Sequence, residues 1–475
     1  MSAPDARALF LFDRDLRLDD HSALAALSPY GEIVPALAVT GDSCASSARR
    51  RSAREAAIDG LATSLAQAGA PLVIRRGSLA ATVLGLAREA RATAVGWSLA
   101  YDAPGLAAQR SLQAELEEAG LTVIATHDAL AVPPEETAAA RASDEGLGYR
   151  AFAPYLATWR RLDVPPVAAR PRFARAHGLR GEAPPTSAGP GGAAARAALE
   201  AYLAGPALGY ATARDVPGDG PTARLSVALG LGTLAARTVR ASIAARARDP
   251  FLLVEERLSL RAFERALAQR DFFLQLAWFF EDALDAPLQR RMRGFPGAAD
   301  HPALAAWREG RTGYPFVDAG LRQLAATGWM HPRARLVAAS FLCFDLGVDW
   351  RVGRDAWDRE LEEYDPALAA GNWQWVAGLG ADLAQFPRIY NPRKQARAFD
   401  PIGTYARRWI AELADRPAAA GAGEPAANRP QLALPLFGDR AYPAPVVDHE
   451  AAARAYLRRY AAYVRDQTAA PISSP

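Results

Sequence analysis

Short apolar runs rich in β-branched residues alternate with alanine-rich stretches of helical spacing throughout the first 130 residues. They predict buried strands at residues 8–12, 33–39, 72–75, 94–97 and 121–125, with helices between them at 51–67, 79–90 and 106–119. Because parallel strands must be joined by crossovers, this order predicts a doubly wound parallel sheet, an α/β domain over residues 1–130. Such sheets bind ligands at the carboxyl ends of their strands. No Gly-x-Gly-x-x-Gly follows the first strand, so a dinucleotide site is not predicted there.

The rest of the chain divides into a linker and a helical domain. Residues 164–192 are crowded with proline, glycine and alanine, which predicts an interdomain linker over residues 131–198. Residues 199–475 have helical periodicity in almost every segment, including 255–281, 318–327 and 334–346, and predict an all-α domain. A second patch rich in proline, glycine and alanine, residues 418–430, predicts a surface loop before a last helix at 450–467.

Length and composition argue against several classes of protein. A chain of 475 residues exceeds one ordinary core, and it has no run of about 18 apolar residues that would predict a membrane span. The N-terminus lacks a basic flank and a cleavage site, which argues against a secretory signal. Cys44 and Cys343 match no metal-ligand spacing, so we expect a reducing cytoplasm and no metal site. No heptads or exposed apolar stripe indicate an assembly, and we expect a monomer.

The charge pattern is compatible with nucleic-acid binding without requiring it. The net charge is +3, and Lys394 is the only lysine, so nearly all the positive charge is arginine. The planar guanidinium group suits phosphate contacts because it donates two hydrogen bonds at once. An excess of arginine also follows from the base composition of a genome, so both interpretations stay open.

Tryptophan is concentrated in the C-terminal half of the chain. The indoles there are Trp278, Trp307, Trp329, Trp350, Trp357, Trp373, Trp375 and Trp409. Core packing explains any single one of them, whereas closely packed indoles can also be oxidised by an excited acceptor. Trp373-Gln374-Trp375 would direct one indole inward and the other towards a cavity.

Two groups of polar residues could hold a cofactor. The segment from Thr222 to Ser226 combines two hydroxyls, a guanidinium and backbone amides ahead of a helical run. That set can hold a diphosphate or simply cap a helix. Arg335 with Glu363 and Asp365 could form an ion pair beside a polar heterocycle, or a structural salt bridge.

Several motifs occur in an order that identifies a family. They are FDRDLRL at residues 12–18, TGYPFVDA at 312–319, TGWMH at 327–331, ASFL at 339–342, VDWR at 348–351, GNWQW at 371–375 and Asn391-Pro392. With these motifs the chain resembles the DNA photolyase/cryptochrome family from residue 12 to about residue 413. The resemblance implies an α/β antenna domain, a helical domain that holds FAD in a U-shaped form, and electron transfer driven by blue light.

Carried over by position, the resemblance assigns a cofactor site. The residues that would bind the phosphates and ribitol of FAD are Tyr210, Thr222, Ala223, Arg224, Leu225 and Ser226. Arg270 is a further expected cofactor-binding residue. Arg335 would pair with Glu363 near the isoalloxazine ring, and Asp365 would hydrogen-bond its pyrimidine edge. Trp373 and Trp350 match the inner two members of the family's electron-transfer chain.

Two positions of the flavin site depart from the family pattern. The outermost tryptophan of the chain should fall near Phe295, where none is present. Phenylalanine is far harder to oxidise, so photoreduction would either stall or proceed through Trp307 or a tyrosine instead. The asparagine opposite flavin N5 aligns with Ala369, whose side chain makes no hydrogen bond, so the stable redox states of the flavin should change.

The lesion pocket departs further. The glutamate and the tryptophan that hold a flipped dimer in repair enzymes align with Ala266 and Gln269, and an asparagine aligns with Pro332. The DNA contacts that the resemblance leaves are Trp375, Gln269, Arg270 and Arg333, and Trp375 is also an expected catalytic indole. A stacked base contributes about 1–3 kcal/mol, and flipping a dimer costs a few kcal/mol. Without one stacking face and two polar contacts, the pocket would lose most of the binding free energy that compensates for flipping the dimer. This argues against ordinary cyclobutane-dimer repair.

Three functions remain open. The first is a light-dependent DNA lyase, similar to deoxyribodipyrimidine photolyase, that acts on damaged or single-stranded DNA through an altered pocket. The second is a cryptochrome-like photoreceptor that signals to a protein partner, and the third is a light-independent flavin redox enzyme. The lost lesion contacts favour the second, and the missing C-terminal extension favours the first. The antenna chromophore, a folate or a deazaflavin, stays unassigned because residues 101–105 lack the polar pair that some relatives use for folate.

Overall fold

The structure is a computed structural model that describes residues 7–41, 47–141, 148–167, 171–175, 177–186, 192–218, 222–280, 282–363, 365–381, 387–414 and 442–469. The chain folds into two compact units. The first comprises Met1–Ala211, Pro221–Glu281 and Glu362–Leu368, and the second comprises Thr212–Gly220, Asp282–Leu361 and Ala369–Pro475. The first unit therefore joins the predicted α/β domain and linker to part of the predicted helical domain.

A parallel sheet of six strands forms the centre of the first unit. The strands are β1 (Arg7–Phe12), β2 (Glu32–Val39), β3 (Val73–Arg76), β4 (Ala92–Ser98), β5 (Thr122–Thr126) and β6 (Arg172–Phe173). Their order is β3-β2-β1-β4-β5, with β6 paired to β2. All five predicted strands are confirmed, and the sixth lies in the predicted linker.

β1 is the central strand because both of its faces are apolar. Phe10 and Phe12 pack on one side and Leu9 and Leu11 on the other, each at most 7% exposed. The helices that cover the two faces are α1 (Ser22–Leu27) and α2 (Ala48–Gln67) on the phenylalanine side, and α3 (Leu79–Ala90) and α4 (Ala103–Glu118) on the leucine side. A strand buried on both faces has the continuous apolar run that the sequence shows.

The stretch predicted as a linker carries regular structure. It contains α5 (Pro134–Ala139), α6 (Phe152–Arg161), strand β6 and the start of α7 (Gly192–Ala204). The amide of Ala174 donates to Ile33 at 2.9 Å and that of Glu182 to Ile74 at 2.8 Å. Hydrogen bonds to the sheet therefore hold a segment that has little apolar surface of its own. The predicted loop at 418–430 and Cys44 lie outside the described residues.

Four helices complete the first part of the helical region. They are α8 (Tyr210–Ala213), α9 (Ser226–Gly230), α10 (Ala236–Ala247) and α11 (Val254–Phe279). The predicted helix at 255–281 is confirmed as α11, whose 26 residues are mostly buried from Leu267 onward. This buried half places several predicted site residues in the interior.

The second unit is helical. Its helices are α12 (Leu304–Arg308), α13 (Pro315–Thr327), α14 (Pro332–Ser340), α15 (Trp350–Asp358), α16 (Pro366–Ala377), α17 (Pro392–Phe399), α18 (Thr404–Trp409) and α19 (His449–Ala469), of which α16 begins in the first unit. The predicted helix at 334–346 is observed in two parts, α14 up to Ser340 and a π turn at Phe341–Asp345. In the described ranges, every helix is too short or too polar to cross a bilayer.

The TGYPFVDA motif organises the start of α13. Asp318 is fully buried and accepts hydrogen bonds from the amide of Thr312 at 2.8 Å, its hydroxyl at 2.6 Å, and the amide of Gly313 at 3.1 Å. A fourth bond comes from the Tyr442 hydroxyl. Gly313 has a φ of 80°, and a Cβ there would lie 2.5 Å from the Ala444 carbonyl. This motif therefore fixes packing in the second unit.

Candidate functional site

The crevice at the carboxyl ends of β1 and β4 is filled by the protein's own charged side chains. In doubly wound sheets this switch point is the usual ligand site. Arg237 of α10 contacts Asp20 at 3.0 Å and Asp128 at 2.5 Å. Arg17 contacts Asp128 at 3.0 Å. Three buried aspartates and three buried bases compensate one another; they are Asp15, Asp20, Asp128, Arg17, His21 and Arg237.

His21 is the titratable member of this network. Its Nδ1 lies 2.6 Å from Asp128 and its Nε2 lies 3.1 Å from Asp15. Burial alone lowers the pKa of the imidazole, but the two carboxylates outweigh it and raise the pKa above its usual value. The crevice is therefore a charged structural core.

An aromatic trio with one buried and two partly exposed members lies beside this network. It consists of Tyr101 after β4, His127 after β5 and Trp278 of α11. The Tyr101 hydroxyl lies 2.6 Å from His127 Nδ1, and His127 Nε2 lies 2.9 Å from Glu135. The Trp278 ring meets the His127 ring edge-on at 4.6 Å. The trio offers a half-buried indole next to polar groups, a combination that suits a planar polar ligand.

The segment predicted to hold a diphosphate has an unusual backbone. Arg224 has a φ of 45°, which is rare for a residue with a side chain. Leu225 follows at φ −84° and ψ −2° and is the N-cap of α9. Left- and right-handed residues in succession direct their N–H groups to one side, and such concavities bind anions. Because the side chains of Arg224 and Ser226 are also exposed, this segment fits a phosphate group.

Arg224 lies near a pair of glutamates in the first unit. The pKa of Glu362 is raised, chiefly by burial and then by the charge of Glu363, while Arg49 and Arg224 oppose the shift. Arg49 comes from α2, and no pattern in the sequence indicated it. Arg49 therefore acts on the same carboxylate as Arg224.

Two other predicted cofactor residues of the first unit are placed by local contacts. Tyr210 begins α8, and its ring packs edge-on against Phe263 at 5.4 Å. Asp365 caps α16, because its Oδ1 accepts from the amides of Ala367 and Leu368 at 2.9 and 3.2 Å. The cap takes one carboxylate oxygen and fixes the orientation of the other.

Trp373 is held by a contact with a glycine. A Cβ on Gly353 of α15 would lie 2.2 Å from the Trp373 ring, so the indole rests directly on the backbone of α15. Trp373 is 4% exposed, whereas Trp375, two residues further along α16, is only partly buried. The predicted inward and outward indoles are thus on different faces of one helix. Between them, Gln374 donates to the carbonyl of Ala283 at 2.6 Å and accepts from the amide of Leu288 at 2.9 Å.

Trp373 also contacts an indole to which the sequence assigned no role. The rings of Trp357 and Trp373 lie 4.5 Å apart with a 54° tilt, and Trp307 stacks on Trp357 at 6.2 Å and 12°. Trp350 and Trp357 are seven residues apart on α15, with Gly353 between them on the same face. That Trp-x-x-Gly-x-x-x-Trp spacing was the available signal.

The position predicted for the outermost tryptophan is surrounded by tyrosines. The Phe295 ring lies 5.6, 5.8 and 5.2 Å from the rings of Tyr456, Tyr460 and Tyr463, all from α19. The guanidinium of Arg459 lies 5.6 Å from the Phe295 ring. These tyrosines, like Trp307, therefore lie in the second unit, which contains the predicted alternatives to the missing outermost electron donor.

The predicted lesion-facing residues of α11 are half-buried or buried. Gln269 is half-buried. Arg270 is 9% exposed, and its guanidinium donates to the carbonyls of Ala129 and Leu229, to the latter at 3.2 Å. A buried guanidinium bound to backbone carbonyls holds the loop after β5, a position that does not favour a DNA phosphate contact.

In the second unit, Arg333 and His331 are engaged by protein groups. Arg333 contacts Asp215 at 2.7 Å, and its guanidinium lies 4.2 Å from the Phe399 ring. His331 is 1% exposed, and its Nδ1 accepts from the Arg333 amide at 3.1 Å. A DNA phosphate would have to compete with Asp215 for Arg333.

The remaining predicted cofactor residues, Arg335 and Ala369, lie on α14 and α16. Arg335 belongs to α14, and its Nε donates to the Met330 carbonyl at 2.8 Å. Ala369 is half-buried on α16, one turn before Trp373. Arg335 is in the second unit and Glu363 in the first, so their predicted pair stays a prediction.

Comparisons with known proteins match both parts of the chain. Residues 8–172 match the model of the DNA photolyase family, and residues 263–462 match that of the FAD-binding domain of DNA photolyase. A deoxyribodipyrimidine photo-lyase of Halobacterium salinarum is 33% identical over 473 residues, which cover 93% of this chain and 96% of that protein.

Two solved structures have the same fold. A class III photolyase from Agrobacterium tumefaciens has a TM-score of 0.85 and 30% identity, covering 98% of this chain and 99% of that one. A cryptochrome from Synechocystis has a TM-score of 0.83 and 25% identity, covering 96% and 100%. The chain is thus similar to photolyases and to a cryptochrome over nearly its whole length.

Proposed function

Because this chain belongs to the DNA photolyase/cryptochrome family of flavoproteins, we propose that it uses blue light to transfer an electron to a lesion in DNA. The observation that carries the proposal is the buried array of indoles around Trp373, in a chain that matches the FAD-binding domain of DNA photolyase. Oxidisable side chains in a row within a core can donate electrons to an excited acceptor that lies next to them. FAD, when bound, supplies a ring that absorbs blue light and exchanges single electrons.

Binding of FAD is assigned to residues that fit its polar groups. The amides from Thr222 to Ser226 and the guanidinium of Arg224 would hold the diphosphate, with Tyr210 beside them. Arg335 and Glu363 would form an ion pair at the ring. The nest-like backbone of Arg224 and Leu225 supports this assignment.

Electron supply is assigned to Trp373 and Trp350. Trp373 is the proposed first donor and Trp350 the proposed second donor. The Trp373 ring rests on Gly353 of α15, and Trp350 lies on the same helix three residues before that glycine. Asp365 would hydrogen-bond the pyrimidine edge of the ring with the oxygen that does not cap α16. Ala369 offers no side-chain hydrogen bond, so proton uptake at flavin N5 would not be assisted from that position.

The DNA substrate would be held by fewer contacts than a thymine dimer normally receives. Trp375 is the proposed stacking face, since it is the partly buried indole next to Trp373. The second stacking indole is replaced by Gln269, so its contribution of about 1–3 kcal/mol per base is lost. A lesion that unstacks at low cost, or one in single-stranded DNA, would need the fewest such contacts.

A repair assay tests this function. Photoreduced holoprotein is mixed with an oligonucleotide that contains one cyclobutane dimer, illuminated, and scored for restored thymines by chromatography. The same assay in single-stranded and duplex DNA separates the two proposed substrates, and Trp375→Ala is the variant expected to lose turnover. No restored thymine in either form, beside an active photolyase, would exclude the lyase function.

A cryptochrome-like photoreceptor is the second candidate. It is favoured by Ala266 and Gln269 in the lesion pocket and by the pairing of Arg333 with Asp215, which leave little to bind a lesion. Its signature is flavin photoreduction without repair, abolished by Trp373→Phe. A bound flavin that does not respond to blue light would exclude both candidates.

The cofactor site is tested by Arg224→Ala. We expect the variant to retain less FAD through purification, because it loses the cation nearest the predicted diphosphate. Arg248→Ala, at an exposed arginine of the same unit, is the matched control. Undiminished flavin content in Arg224→Ala would contradict the placement of the phosphate site.

An antenna chromophore is the last element of the proposal. We place it at the aromatic trio of Tyr101, His127 and Trp278, because the charged network fills the usual crevice of the sheet. Mass spectrometry of the chromophores extracted from purified protein would identify a folate or a deazaflavin. Loss of that compound in Trp278→Ala, with FAD retained, is the expected result.

A further inference from the structure

The FDRDLRL motif at residues 12–18 makes a contact with the helical part of the first unit. The motif begins at the end of β1, and its Leu16 and Arg17 are 2% and 8% exposed. The amide of Leu16 donates to the Leu231 carbonyl at 3.1 Å, and Arg17 Nη1 donates to the Gly232 carbonyl at 3.1 Å. Leu231 and Gly232 form the turn that follows α9. The motif therefore holds one end of that helix.

Gly232 shows how closely the two backbones approach each other. Its φ is 66°, in the left-handed region that favours glycine. A Cβ at this position would lie 2.3 Å from the carbonyl oxygen of Arg14 and 2.5 Å from the Cα of Asp15. The turn after α9 therefore rests directly on the backbone of the motif and has little room to shift.

The helix α9 has few contacts of its own that would fix its position. None of its five residues, Ser226–Gly230, is buried. Most helices in proteins are stabilised by burying an apolar face. The contacts lie at the two ends instead, because Leu225 is buried and Leu231 packs against the core of the sheet. Arg270 adds a hydrogen bond to the Leu229 carbonyl at 3.2 Å.

The charged network fixes the side chain of Arg17. Its Nη2 donates to the Asp20 carbonyl at 2.8 Å and to Asp128 Oδ1 at 3.0 Å, and its Nε donates to the Asp20 carbonyl at 3.3 Å. These bonds set the plane of the guanidinium group, which directs Nη1 at Gly232. A lysine would keep the positive charge beside Asp128, but it lacks the planar fork that reaches several acceptors at once.

We propose that Arg17 is a positioning residue for FAD, which acts through α9 on the phosphate segment, residues Thr222–Ser226. This inference rests on the proposed function, because that segment is the proposed site of the diphosphate. At 1.5 Å per residue, α9 and its turn span about 9 Å. A tilt of about 10° at the turn would displace the amides at the other end by roughly 1.5 Å. Binding groups must keep their geometry to within about 0.5 Å.

Release of FAD from the holoprotein tests the role of Arg17. The rate is followed by the rise of flavin fluorescence after the full chain is diluted. Arg17→Lys should release FAD about tenfold faster than the wild type, as expected for the loss of one hydrogen bond from a charged donor. Arg237→Lys is the matched control, because the hydrogen bonds of Arg237 go to Asp20 and Asp128 in the same network. Both variants should melt at a lower temperature, but Arg237→Lys should release FAD at nearly the wild-type rate.

A double variant shows whether Arg17 acts through the phosphate segment. In an Arg224→Ala background the diphosphate is already held less well, so Arg17→Lys should then accelerate FAD release by about threefold or less. Gly232→Ala is a second variant that displaces the same turn without removing a charge, and it should also release FAD faster. It carries the test where Arg17→Lys does not fold.

The outcomes separate the positioning role from the proposed function. Equal release rates in Arg17→Lys and Arg237→Lys would refute the positioning role alone, and so would a tenfold effect of Arg17→Lys that persists in the Arg224→Ala background. Wild-type release from Gly232→Ala would also refute it. Wild-type release from Arg224→Ala would refute the placement of the phosphate site on which the inference rests.

Discussion

Replacing Asp271 by asparagine should make the stability of this protein less dependent on pH. Asp271 is fully buried in α11. Its carboxyl accepts from Trp159 Nε1 at 2.9 Å and from the amides of Ala131 and Val132 at 2.8 and 3.2 Å. Burial raises the pKa of Asp271 to about 6, because it penalises the carboxylate more than these donors and Arg270 stabilise it.

The raised pKa converts into a free energy. The folded protein binds a proton on Asp271 more tightly than the unfolded chain, where an aspartate has a pKa near 3.8. At about 1.4 kcal/mol per pKa unit, a difference of about two units corresponds to roughly 3 kcal/mol. This contribution is fully present below pH 3.8 and is lost as the pH rises through about 6. Roughly 2 kcal/mol of it falls between about pH 4.5 and about pH 7.5.

Urea unfolding of the full chain at these two pH values measures the effect. Asparagine keeps an accepting oxygen for Trp159 but does not titrate. The free energy of unfolding of Asp271→Asn relative to wild type should therefore rise by roughly 2 kcal/mol from about pH 4.5 to about pH 7.5. Asp19→Asn, at an exposed aspartate, is the control. An equal difference between variant and wild type at both pH values would refute the reasoning.

Three further changes test packing and charge. Gly353→Ala should destabilise the protein by about 1–3 kcal/mol in urea unfolding, because the methyl group would overlap the Trp373 ring; unchanged stability would contradict that contact. In the wild type, protonated His21 stabilises the folded state at pH values below 6.5, the usual pKa of histidine, and this stabilisation is lost as the pH rises through the raised pKa of His21. His21→Gln should remove it. Melting temperatures from neutral to alkaline pH measure this, and parallel curves for the two proteins would count against it. Gln374→Leu should cost about 1–3 kcal/mol, because the buried amide of Leu288 loses its acceptor; a melt like that of the wild type would argue against this role.

The sequence determined the elements of this fold and the type of cofactor site. Apolar runs that are buried on both faces predict the five strands within two residues of their observed ends, since burial of a parallel strand needs apolar side chains at every position. The order of the motifs predicted the family, and its cofactor followed from that. Such signals are local, because they depend on which residue types stand next to one another.

Contacts between distant parts of the chain were decided only by the tertiary structure. The segment predicted as a linker joins the sheet through backbone hydrogen bonds, which any sequence can make and composition does not reveal. Arg270 is basic in sequence but is buried against backbone carbonyls. Trp350 and Trp357 are both tryptophans of α15, and tertiary contacts distinguish their surroundings, because Trp357 meets the rings of Trp373 and Trp307. Composition fixes which side chains can be oxidised or charged, whereas the distance between them depends on how separate helices pack.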